Sequence, residues 1–260
     1  MFTGLTVANL AMVPLVTYIG HLFHWRWYFA IVALIGLITL LFIYLWLPAM
    51  EGRGESIRFK DQLSFLKGKQ SWYILLITAI GFGGLFTWFS YITPLMTEVA
   101  GVGKSNMAYV MVLAGAGMVA GNLLGGYLSD RYGAPRTCAL LMFLMMLALA
   151  AVFLFSEYQV VAMVLTFICG GLSMSVSAPI NIMMMRAAPD SEMMAAAFMQ
   201  AAFNIANALG AFLGGIPLEY GLSYNYPSLV GVGMTMIGLI ICLGFIGKYA
   251  KRVAPGLVRS

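Results

Sequence analysis

The chain has 260 residues, of which 62% are hydrophobic and 9% charged, and its net charge is +5. A soluble domain carries about 25% charged residues. A chain of this composition cannot hide its apolar surface in one core, so lipid is its solvent, and a soluble enzyme or a nucleic-acid-binding domain is excluded.

A spanning helix needs about 20 mostly apolar residues. Charge-free runs of that length lie near 2–23, 27–47, 72–97, 106–129, 137–156, 158–185, 193–218 and 224–247, which predicts eight transmembrane helices. Met1 runs at once into an apolar segment with no basic region and no cleavage site, so no removable leader is expected. Between the second and third runs, residues 49–71 carry Arg53, Arg58, Lys60, Lys67 and Lys69. Phe59, Leu63 and Leu66 recur there at i, i+4 and i+7, predicting a short amphipathic helix on the membrane surface. In the third run, Gly81-x-Gly83-Gly84 lies inside a span, where close packing explains it better than phosphate binding. The fourth run has Gly117, Gly121 and Gly125, and the seventh has Ala202, Ala206, Gly210 and Gly214. Small residues every four positions let helices pack without side-chain bulk.

Twelve of the 14 bases fall in 49–71, between the fourth and fifth runs, between the sixth and seventh, or in the tail; only Arg26 and Lys104 fall on the other side. By the positive-inside rule both chain ends are cytoplasmic. Cys138, Cys169 and Cys242 are odd in number, lie in apolar runs and lack metal-ligand spacing, so they and the twenty methionines read as packing residues. No nucleophile–base pair, metal cluster or phosphate loop stands out. No catalytic activity, metal or cofactor is expected.

Between the fourth and fifth runs stands Gly126-Tyr127-Leu128-Ser129-Asp130-Arg131-Tyr132-Gly133-Ala134-Pro135-Arg136. It resembles the signature of the major facilitator superfamily, roughly Gly-x-Leu-x-Asp-Arg-x-Gly followed by basic residues. That fold has twelve helices in two six-helix bundles joined by a long cytoplasmic loop. The resemblance implies an all-α integral membrane protein holding the last two helices of the N-terminal bundle and a complete C-terminal six-helix bundle. Residues 1–48 would then be the fifth and sixth helices, 49–71 the inter-bundle loop, 72–248 the C-terminal bundle and 249–260 a cytoplasmic tail. Four helices, about 120 residues, would be missing ahead of them. Ala8-Asn9-x-x-Met12-Val13-Pro14-Leu15-Val16-Thr17-x-x-Gly20 with Trp25-Arg26 is similar to the fifth helix of the drug- and sugar-efflux branch, nearest its arabinose-efflux-permease-like members. Met12, Val16 and His24 stand where that branch usually has glycine. Tyr91-Ile92-x-Pro94 is typical of the same branch near the outer end of the seventh helix. Asn9 precedes Gly20 by eleven positions, as Asn204 precedes Gly215, and such parallel repeats are expected of two bundles.

In the signature, Gly126 is expected to let its helix approach a neighbour, Asp130 and Arg131 to end the span, Gly133 and Pro135 to make the turn, and Arg136 to begin the next helix. By resemblance, Asp130 holds the N-terminus of the first helix as a conformational latch. Pro14, Gly117, Gly121, Gly125, Gly210 and Gly214 serve helix packing. The family's site lies near the bilayer midplane between bundles. The polar or aromatic candidates to line it are Asn9, Trp88, Tyr91, Asn122, Asn181, Gln200, Asn204 and Asn207; for each, hydrogen bonding or packing between helices is the alternative. No acid falls at midspan; His21 and His24 lie near the outer end of the first helix. The implied partners are a small solute, protons and the lipid bilayer, with no nucleic acid. The implied location is a bacterial inner membrane. Three functions remain open: efflux coupled to protons, uptake by symport or facilitated diffusion, and a fragment that does not transport without the missing helices.

Overall fold

The computed structural model describes residues 26–46 and 63–253. Among the described residues, seven helices are long and apolar enough to cross a membrane. They are α1 (Arg26–Trp46), α2 (Lys69–Phe89), α3 (Met107–Tyr132), α4 (Ala134–Phe155), α5 (Gln159–Ala187), α6 (Glu192–Glu219) and α7 (Tyr226–Val253). The predicted first span, with Asn9, Pro14, His21 and His24, lies outside the described residues. So do residues 47–62 and 254–260.

Six helices form the bundle as two consecutive triples, α2–α4 and α5–α7. The first helix of each triple packs against the second and third of the other: α2 on α6 and α7, α5 on α3 and α4. The exchange buries α2 and α5 more deeply than any other described span. The core between them holds Trp88, Met142, Met145, Leu149, Ile180, Met183 and Phe245. Cys138, Cys169 and Cys242 are fully buried free thiols. The described side chains of α1, by contrast, are exposed apart from a half-buried Ile31.

Several buried hydroxyls are satisfied by carbonyls of their own helices. Thr78 donates to the Ile74 carbonyl, Thr166 to Ala162 and Ser129 to Gly125. Four buried oxygens, on Ser156, Ser191, Asn225 and Ser228, have no protein partner among the described residues.

The boundaries correct three expectations. The run 72–97 is not one helix: α2 passes through a π turn at Ile77–Phe82, ends at Phe89, and is followed by a short helical turn at Ile92–Pro94 and a second π turn at Leu95–Val99. The break falls at Ser90–Tyr91 because Pro94 lacks an N–H for the Ser90 carbonyl, four residues back, and its ring crowds that carbonyl. At the start of the bundle, the expected Leu63/Leu66 face is replaced by a 3₁₀ turn, Ser64–Lys67, whose buried residue is Phe65, edge-on to Phe198 at 5.6 Å. And α7 continues to Val253, into the stretch expected to be a tail.

Candidate functional site

The signature segment joins α3 to α4. Asp130 and Arg131 occupy the last turn of α3, which ends at Tyr132. The reversal is made at Gly133, with φ 83° and ψ 139°, a backbone region that glycine enters without steric cost. Its N–H donates to the Ser129 carbonyl at 3.0 Å, and its own carbonyl accepts from the Thr137 N–H at 3.1 Å. The Thr137 hydroxyl reaches back to the Leu128 carbonyl at 2.9 Å. Pro135, buried in the first turn of α4, presets the backbone for that helix. Asp130, Arg131 and Arg136 are exposed. Arg131 donates to the Tyr127 hydroxyl at 2.8 Å and lies over the Tyr132 ring at 5.5 Å. Gly126 departs from its expected role: a Cβ there would meet no described atom within 4 Å.

Close approach occurs instead along two matching lines of small residues. On α3, a Cβ at Gly117, Gly121 or Gly125 would strike the α5 backbone at Phe167, Gly171 and Ser175 respectively. The Ser175 hydroxyl donates to the Gly121 carbonyl at 2.7 Å across that contact. On α6, Gly210 lies against Gly83 and Phe86 of α2, and Gly214 against Thr87 and Tyr91. The glycines of α2 meet two helices: Gly83 faces Ala206 of α6, while Gly81 and Gly84 face Gly238 and Gly231 of α7. Each triple therefore presents one stripe of small residues, from its second helix, to the first helix of the other.

This packing turns one side of α6 inward, burying Ala202, Ala206, Gly210 and Gly214. Gln200, Asn204 and Asn207 fall on a different side and are exposed. They share it with Ala197, Ala208 and Ala211, so the stripe is amide and methyl, whereas Ile205, Phe212 and Ile216 form an exposed apolar stripe beside it. At the C-terminal end of the amide stripe, the Tyr91 hydroxyl donates to the Ala211 carbonyl at 2.8 Å. That hydroxyl would lie 2.6 Å from a Cβ on Gly215, so the glycine makes room for it.

The remaining candidates separate. Trp88 is 1% exposed and belongs to the bundle core, beside Phe89, so it lines no open surface. Asn122 of α3 is half-buried. Asn181 of α5 is half-buried and returns its amide N–H to the Ser177 carbonyl at 2.8 Å. Neither residue type nor spacing signals the Tyr91–Ala211 bond, whose acceptor is a backbone carbonyl; the spacing of Ala211 four residues after Asn207 signals only its place on the stripe. The described acids Glu98, Asp130, Glu157, Asp190, Glu192 and Glu219 are all exposed. Among the described residues no group of three His, Cys, Asp or Glu is placed to hold a metal ion.

The sequence profile of the Major Facilitator Superfamily matches residues 1–215. The chain is 34% identical to "Putative transporter AraJ" of Escherichia coli, over 98% of this chain and 64% of that protein. It is 32% identical to "Inner membrane transport protein YdhP" of Escherichia coli, over 93% of this chain and 61% of that protein. Its identity to "Probable sugar efflux transporter" of Pasteurella multocida is 28%, over 97% of this chain and 61% of that one. The chain thus spans less than two thirds of the length of these relatives.

Proposed function

The chain belongs to the Major Facilitator Superfamily, and from that premise we propose that it takes part in moving a small solute across a membrane by alternating access, with α6 lining the solute path. It is a multi-pass membrane protein with the fold of a transporter family, not an enzyme. The observation that carries the proposal is the exposed amide stripe Gln200–Asn204–Asn207 in the middle of a spanning helix. An amide facing hydrocarbon without a partner costs roughly 2–7 kcal/mol. Three on one stripe belong against water, solute or another polar helix face. Amides donate and accept, which suits a hydroxyl-rich or carbonyl-bearing solute of the sugar-like or drug-like class. The direction we assign is outward, in exchange for protons.

The division of the chain follows the same reading. The helices of the C-terminal bundle run from Lys69 to Val253, the residues ahead of them are assigned to the N-terminal bundle and the connection, and the twelve of 14 bases on one side favour cytoplasmic ends. Asp130 acts as the latch. A carboxylate in the last turn of its own helix is repelled by that helix's dipole and is stabilised at the N-terminus of another, by about 0.3–1 kcal/mol.

Energised inverted membrane vesicles containing the protein, given a panel of radiolabelled monosaccharides, test the proposal. Uptake that an ionophore abolishes, and that Asn204→Leu reduces at unchanged protein level, supports it. Uptake indifferent to both, or equal to that of vesicles lacking the protein, refutes it.

A further inference from the structure

Between α2 and α7, near the start of α2, lies an open cavity of about 460 Å³ lined by Lys69, Trp72, Tyr73, Leu76 and Ile241. The four α2 residues stand at i, i+3, i+4 and i+7, one face of the helix. Trp72 and Leu76 are exposed. The Trp72 indole N–H donates to the Leu66 carbonyl at 2.8 Å, which ties its polar edge to the 3₁₀ turn below the helix. From α7, the Lys248 ammonium donates to the Tyr73 hydroxyl at 3.1 Å and lies 5.6 Å from the ring centroid. Lys69 is the cationic lining residue, Lys248 stands beside the groove on Tyr73, and Trp72, Leu76 and Ile241 supply its apolar wall. Among the described residues no carboxylate lines it.

We propose that this groove seats an anionic phospholipid, its phosphate held by Lys69 and Lys248 and the first carbons of an acyl chain lying along Trp72, Leu76 and Ile241. The inference rests on the membrane placement given above, which puts this end of α2 and α7 at the cytoplasmic leaflet, where anionic lipids attract clustered lysines. A free phosphate would leave the apolar wall uncovered. A second copy docked by two-fold symmetry would set the same patch against itself and bring four ammonium groups together.

The test is native mass spectrometry of the detergent-purified chain, titrated with dioleoyl phosphatidylglycerol and with dioleoyl phosphatidylcholine. The expected result is selective retention of phosphatidylglycerol. At about five-fold per lysine, the Lys69→Gln/Lys248→Gln double variant should lose affinity for it by roughly 25-fold. Trp72→Ala should weaken both lipids, and Lys104→Gln, an exposed lysine outside the groove, neither. Equal retention of the two lipids by the unmodified chain overturns the inference whether or not the variants fold. So does an unaffected double variant, displacement by millimolar inorganic phosphate, or a dimer that forms in place of the lipid adduct. A single cysteine in the tail, in a cysteine-free background, challenged with an impermeant maleimide in right-side-out and inverted vesicles separates the two failures: labelling from the outside sinks the placement itself, whereas cytoplasmic labelling without lipid selectivity sinks only this site.

Discussion

Replacing Gly121 by alanine is the sharpest perturbation of the bundle. The added methyl would point into Gly171 of α5, meeting its carbonyl oxygen and lying 2.5 and 2.7 Å from its carbonyl carbon and Cα. All three are backbone atoms, so no rotamer change relieves the contact and the helices must separate. Overpacking of a well-packed core costs about 1–3 kcal/mol. Separation also stretches the Ser175–Gly121 hydrogen bond, now 2.7 Å, and interhelical bonds of this kind contribute roughly 0.6–1.7 kcal/mol. Together they give a loss of about 2–5 kcal/mol, or a melting-temperature drop on the order of 4–20 °C for a domain of this size. The three buried cysteines provide the assay, since a thiol-reactive fluorogenic dye reaches them only on unfolding. Gly126→Ala is the control. It adds a methyl where no described atom lies within 4 Å, and alanine is the better helix former by about 1 kcal/mol, so its melting temperature should hold or rise. If Gly121→Ala melts with the unmodified chain, the close α3–α5 contact is wrong.

Three further outcomes follow from the geometry. Tyr91→Phe keeps the ring and loses the bond to Ala211, so the same dye should report a stability loss of roughly 0.6–1.7 kcal/mol. Gly133→Ala forces a side chain into φ 83° and should cost about 1–3 kcal/mol by the same measurement. Gln200→Leu, Asn204→Leu and Asn207→Leu alter exposed positions and should leave the melting temperature unchanged while lowering solute uptake into vesicles.

The sequence announces most of the fold because lipid imposes a simple rule on it. Charge-free runs of spanning length mark the helices, and the order of residues from Gly126 to Arg136 marks the family. What it conceals is local or depends on packing. A hydropathy average passes over Pro94, so the end of α2 at Phe89 shows only when the proline's effect on the Ser90 carbonyl is weighed. Gly126 and Gly125 are adjacent and identical in type, yet one faces open space and the other Ser175; only the rotation of α3 against α5 tells them apart. At the candidate site, residue type nominates Trp88 and Asn204 alike, and the fold separates them into core and exposed stripe. The separation on α6 is partly legible. The small residues at 202, 206, 210 and 214 define one face, which leaves Gln200, Asn204 and Asn207 on another.

The most direct test of the central claim is water access along α6. Single cysteines at positions 200, 204, 207, 205, 212 and 216, in a cysteine-free background in native membranes, would be challenged with a membrane-impermeant maleimide applied to either side. A solute path along the amide stripe predicts labelling at Gln200, Asn204 and Asn207 and protection at Ile205, Phe212 and Ile216. Equal protection of both stripes, or labelling of the apolar one instead, would contradict it.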